Sequence, residues 1–193
     1  MYSDILFAYG PHILVYAYFG VLLLPNINIL KTLCDIGILT VLYNLGHRLV
    51  HLLPTEGIIG KLNLHIYMHH DKKLNVPRWL ELIIEFLFEV IAHLMPFFIY
   101  FKIKGEWKFP LSITLYVILF FAFNHCVFYS ILDSDKHIEH HKNVTVNFIP
   151  DYVDQIFSNP KTRVYEDMNN QIPMILWSAL IVHFGKLYFQ WKD

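Results

Sequence analysis

The chain has 193 residues, of which 55% are hydrophobic and 16% charged; its mean hydropathy is +0.41 and its formal net charge −1. So apolar a composition excludes an ordinary soluble domain, and a near-zero charge without any basic run makes nucleic acid an unexpected partner. The length suits a single domain over residues 1–193, and no internal repeat, low-complexity tract or Gly/Ser linker divides it.

Several apolar stretches approach the ~20 residues that span a bilayer. The first runs from Ile5 to Leu24, interrupted by Gly10-Pro11-His12. No Lys or Arg precedes it and no small-residue cleavage site follows it, so it reads as a retained membrane helix rather than a signal peptide. The second covers Ile27 to Leu45, and Pro54 is expected to stop that helix one turn beyond His51. The third runs from Trp79 to Phe101, with a kink expected at Pro96; the fourth runs from Phe109 to Leu132, with Pro110 suited to its first turn. A fifth, Ile172 to Phe184, is long enough for a buried or interfacial helix and marginal for a span. Cys34 and Cys126 lie within apolar segments, and neither looks like half of a disulfide or of a CxxC metal motif.

Histidine carries the chemical signal. His47 and His51 form HxxxH; His65, His69 and His70 form HxxxHH; His137, His140 and His141 form HxxHH. Residues three and four apart share a helix face, so the first and third clusters are each expected to point one way. Imidazole suits iron, zinc and copper, and eight of them are too many for one ion and about right for two. His12 and His183 stand alone and read as packing residues.

The loop from Gly46 to Arg78 holds Arg48, Lys61, Lys72, Lys73 and Arg78 against Glu56 and Asp71, which points it to the cytoplasm. Two apolar segments separate the second cluster from the third, so an even number of crossings returns all three to one face. Lys102, Lys104 and Lys108 at the intervening turn fit a shallow hairpin equally well. The sequon Asn143-Val144-Thr145 lies beside His141 and is expected to stay unmodified on that cytoplasmic face. Glu81, Glu85, Glu89 and His93 recur every four residues on one face of the third segment. Such groups at membrane depth face a bundle interior or a wet cavity. The stripe reads either as a solvated or self-paired face on a shallow helix or as a supporting shell of Glu85, Glu89 and His93 around ligating histidines. The expected fold is an all-α membrane protein. About four transmembrane or hairpin helices would carry a cytoplasmic, histidine-rich helical cap around a di-metal site.

The order HxxxH, HxxxHH, HxxHH, interleaved with two apolar segments, resembles the fatty acid hydroxylase/sterol desaturase superfamily. His47-Arg48 matches the start of that family's first box. After His140-His141 come Asn147-Phe148 and then Asp154-Gln155-Ile156-Phe157, similar to the family's Asn-aromatic and Asp-x-x-Phe run. His125 matches an isolated histidine upstream of the last box. The likeness covers roughly residues 40–160. It departs at the second box, where three residues rather than two precede the His69-His70 pair, a spacing found in acyl-lipid desaturases and alkane hydroxylases. It departs also at Val153, at Ser158-Asn159, and at Tyr129, where some relatives carry a further histidine.

The resemblance implies a membrane-bound, non-haem di-iron oxygenase that hydroxylates or desaturates a fatty acyl chain or sterol with O₂ in lipid biosynthesis. It implies two iron ions, which zinc can replace in preparations, held by His47, His51, His65, His69, His70, His125, His137, His140 and His141. Tyr129 and Asp154 would stand in the supporting shell. A separate electron donor of cytochrome b5 or ferredoxin type would serve it, and in a eukaryotic cell the membrane would be the endoplasmic reticulum. An acyl-lipid desaturase or alkane-hydroxylase type is the nearest alternative. A metal transporter would bind near the bilayer midplane with broken helices from related halves, and a zinc hydrolase would want HExxH; neither pattern is present.

Overall fold

The computed structural model describes residues 2–24, 28–73, 75–132, 134–143, 145, 147–148, 150–157, 168–191 and 193. Among them every regular element is helical. In order these are α1 (Tyr2–Leu22), α2 (Ile29–Leu52), α3 (Gly57–Leu62), a π-helical turn (His65–His70), α4 (Arg78–Lys104), and α5 (Leu111–Phe123) running into a second π turn (Asn124–Tyr129). Then follow α6 (Ser130–Leu132), α7 (Asp135–Lys142), α8 (Asp151–Phe157), a 3₁₀ turn (Met168–Gln171) and α9 (Ile172–Phe189).

Local chemistry sets the boundaries. The Asn28 side chain accepts from the Leu30 and Lys31 amides at 3.0 and 3.3 Å, capping α2. Leu53, before Pro54, is extended and ends it. Pro110 precedes α5, and α4 closes at Gly105, whose φ of +77° is a left-handed cap that glycine adopts without a Cβ clash. Pro96 lies within α4 without ending it.

Four helices are long and apolar enough to cross a membrane: Ile29–Leu52, Arg78–Lys104, Leu111–Tyr129 and Met168–Phe189. The fifth stretch, marginal by sequence, gains length at both ends: α9 runs on past Phe184 to Phe189, and the 3₁₀ turn Met168–Gln171 precedes it. The described apolar part of α1, Phe7–Leu22, is shorter. At 27 residues α4 extends about 40 Å, enough to carry Lys102 and Lys104 to the opposite end of the bundle from Arg78. By length and composition it could cross a membrane in full.

α4 is built inside out. Its buried residues are Glu81, Glu85, Glu89 and His93, while Ile83, Leu87, Ile91 and Phe98 are exposed. A helix with ionisable groups inside and aliphatics outside suits lipid rather than water at its outer face. α5 lies at the centre, packed on α2, α4 and α9. Its Ile113, Tyr116, Val117, Phe120 and Phe121 form one core with Tyr16, Leu39, Tyr43, Ile175 and Val182. The Tyr116 hydroxyl donates to the Tyr16 carbonyl at 2.9 Å, satisfying a hydroxyl that apolar packing alone would orphan.

The ends of α2 and α5 and the start of α4 meet at one end of the bundle, where α3, the first π turn, α7 and α8 cover them. That cover is pinned by a buried ion pair between Lys136 and Asp151, to which the Tyr9 hydroxyl also donates. The two cysteines are free, Cys34 exposed and Cys126 buried.

Candidate metal centre

Seven of the nine sequence-nominated histidines bring their Nε2 atoms into two groups. In the first, His47 and His65 stand 3.1 Å apart, His47 and His51 3.3 Å, and His51 and His65 3.1 Å, with His140 3.2 Å from His51. In the second, His69 and His141 stand 2.8 Å apart, His137 and His141 2.9 Å, and His69 and His137 3.3 Å. His125 Nε2 approaches His69 at 3.2 Å but also lies 2.9 Å from Glu85 Oε1.

Three mutually touching ring nitrogens cannot all be hydrogen-bonded. Each Nε2 either carries a proton or offers a lone pair, so in any triangle two nitrogens share a role and repel. Both groups contain such a triangle. A cation at each centre removes the conflict, because imidazoles bound to one ion at ~2.0–2.1 Å stand about 3.0–3.4 Å apart. The two groups could each hold a metal ion, and Glu85 with His65 and His125 offers further donors.

The first cluster acts as one face, His47 and His51 both serving the first group, but the third does not. His137 and His141 belong to the second group, whereas His140 turns to the first, because successive residues on an α-helix diverge by about 100°. The middle cluster divides similarly. In a wide π turn, Asp71 N donates to Ile66 O five residues back at 2.8 Å. That winding brings i, i+4 and i+5 to one side, which suits the HxxxHH spacing, and π turns recur at functional sites. His65 serves the first group and His69 the second. His70 joins neither triangle. Its ring lies between them, 4.7 Å from that of His51 and 4.3 Å from that of His141, with both nitrogens buried and no hydrogen-bond partner among the described residues.

Behind the rings stand the α4 carboxylates. Glu85 Oε2 lies 2.7 Å from His69 Nδ1, and Glu89 Oε1 lies 3.2 Å from His65 Nδ1. These contacts are too bent to be hydrogen bonds, yet their charge favours a proton on Nδ1 and a bare Nε2 turned inward. Glu89 also accepts from the Tyr43 hydroxyl at 2.8 Å, and His93 Nδ1 donates to the Glu89 carbonyl at 2.8 Å while its ring stacks on Tyr43. Asp154 accepts from Arg48 Nη2 at 2.5 Å, and Arg48 lies over the Phe148 ring, which in turn packs on His47, His51 and His140. Tyr129 stacks on His137 and accepts from Gln171 Nε2 at 2.9 Å. Ser158-Asn159 lies outside the described residues.

Tyr43, Phe148 and Gln171 were not nominated as site residues. Tyr43 had a signal, standing four residues before His47 on the same face of α2. Gln171 had none, for its contact spans 42 residues. His12 and His183 lie away from both groups; His12 is fully buried against Tyr16, Phe120 and Tyr152, and His183 is exposed.

Burial, reinforced by neighbouring imidazoles, holds His65, His69 and His137 well below the ordinary histidine range and brings His141 down to about 4. The rings are therefore neutral near pH 7 and ready to donate to a metal. Comparison with family models, with curated proteins and with solved structures finds no match to this chain.

Proposed function

We propose that this chain is a membrane-bound di-iron oxygenase that hydroxylates or desaturates a lipid, in the manner of the fatty acid hydroxylase/sterol desaturase superfamily. The observation that carries the reading is the pair of imidazole triangles interleaved on shared turns: His65 and His69 on one, His140 and His141 on the next. Two ions in groups so interleaved would together supply the site for one O₂ molecule. Nearly all-histidine donation suits iron and leaves zinc and copper as competitors.

Bound iron would supply O₂ activation, which no side chain provides. The protein's part is positional. His47, His51, His65 and His140 would hold one ion, and His69, His137 and His141 the other, with His125 and Glu85 at its border. Tyr129 stacks on the His137 ring and Phe148 packs edge-to-face on those of His47, His51 and His140, so both would help to keep water from them. An apolar groove of about 310 Å³ runs between α2 and α4, walled by Leu42, Leu49, Val50, Ala92 and Phe97, and reaches Gly46 beside His47. A Cβ on Gly46 would stand 3.1 Å from the His93 ring, so glycine permits the close approach of the two helices there. A groove of this lining, between two helices that could both cross a membrane, suits an acyl chain.

The test is lipid mass spectrometry of cells expressing the wild type against cells expressing His140→Ala. A new hydroxylated or desaturated lipid in the first only supports the reading; identical lipid profiles, with metal-replete protein present, oppose it. The positive excess of the Gly46–Arg78 loop supports a cytoplasmic site. Asn143 should then stay unglycosylated, and a glycosidase-sensitive mobility shift abolished by Asn143→Gln would reverse that orientation. Tags near Lys72 and near Lys161 should report the same side, although Lys161 lies outside the described residues.

A further inference from the structure

A second cavity, of about 340 Å³, opens beside the second histidine group. His69, His137 and His141 line its inner wall; Lys72, Arg78 and Lys142 line its mouth. No carboxylate lines it among the described residues. Glu81 binds both Lys72 and Arg78, but through a single oxygen, Oε1, at 2.5 and 2.7 Å. An ammonium has three donors and a guanidinium five, so each cation keeps donors free of Glu81, one of which Arg78 spends on the Ser130 carbonyl at 3.3 Å. Lys142 is held only loosely, 3.6 Å from exposed Glu139. The apolar groove between α2 and α4, by contrast, has no member of either histidine triangle in its lining. Of these two cavities, the one that touches candidate ligands is cation-rimmed.

We propose that this cavity seats the anionic head, a phosphate or carboxylate, of an amphiphilic substrate. The inference rests on the di-metal reading only for the word substrate; the binding itself does not require it. Its size is that of a small-molecule pocket rather than of a protein docking face. Three cations converging on a concave site grip an anion of this class, and metal ions behind it would add to the same field. Alkanes, free sterols and carotenoids, which carry no anionic head, are disfavoured as substrates.

The probes are octyl phosphate, octanol and inorganic phosphate, titrated calorimetrically onto the full-length protein in amphipol. Octyl phosphate should bind at least tenfold more tightly than either octanol or inorganic phosphate. Lys142→Gln and Lys72→Gln should each weaken it about two- to fivefold, the worth of an exposed charge contact, without altering octanol binding. Lys102→Gln, at the far end of α4, should change nothing. Equal affinity for octyl phosphate and octanol overturns the proposal, as does full displacement of octyl phosphate by equimolar inorganic phosphate. Head-group selectivity in protein that forms no lipid product leaves this inference standing while the oxygenase reading falls. Product formation without selectivity does the reverse.

Discussion

His69 and Glu85 face each other inside the bundle, Nδ1 to Oε2 at 2.7 Å, with both side chains almost fully buried. One is on a π turn in the cover, the other two turns into a helix that presents aliphatics on its outer side. An ionised Glu85 would favour the tautomer whose proton sits on Nδ1, and so turn a lone pair at Nε2 toward His137 and His141.

Glu85→Gln keeps the shape and removes that charge. Metal affinity should fall about 10- to 100-fold, with helix content unchanged. Chelator competition followed by circular dichroism checks both halves. Wild-type affinity in Glu85→Gln would assign the carboxylate to packing.

Substitutions should separate the two groups. Changing His47, His51 or His140 to Ala should remove about one ion and leave the other, and changing His137 or His141 should remove the second; every one of these should abolish product formation. His183→Ala should retain both ions. His12→Ala should do so too, but its loss from a closed aromatic cluster should lower the melting temperature. Equal loss of both ions from any single change would mean one shared centre rather than two.

Much of this centre was legible beforehand. Eight of its histidines stand out at ligand spacings, and the four-residue period of Glu81, Glu85, Glu89 and His93 marks the face of α4 that is buried. Their division into groups was hidden for a geometric reason. A spacing reports only what one helix face could share, whereas His140 leaves the face of His137 and His141 to meet His51, 89 residues away. The π winding at His65–His70 also lies outside ordinary helical periodicity. Arg48 with Asp154, Lys136 with Asp151 and Gln171 with Tyr129 are pairings made by topology, which local pattern does not encode.

Acid should destabilise the metal-free protein in a defined window. His141 is lowered to about 4 in the fold from about 6.5 when unfolded, chiefly because burial opposes its charge and then because His125, Lys72 and Arg78 repel a proton there. Above pH 6.5 both states are neutral and stability is undiminished. Between 6.5 and 4 the unfolded chain takes up protons that the folded one refuses, so stability falls as pH falls. His65, His69 and His137 act in the same direction. Thermal melts from pH 8 to 4.5 should show a monotonic fall beginning below about pH 7; a flat or rising melting temperature would contradict the burial of these rings.

The most direct measurement is the metal content of folded, full-length protein purified from iron-replete cells, read by elemental analysis against protein concentration. The two frustrated imidazole triangles predict about two transition-metal ions per chain, chiefly iron, with zinc as the expected substitute. A folded protein carrying no more than a trace of any transition metal would contradict the account.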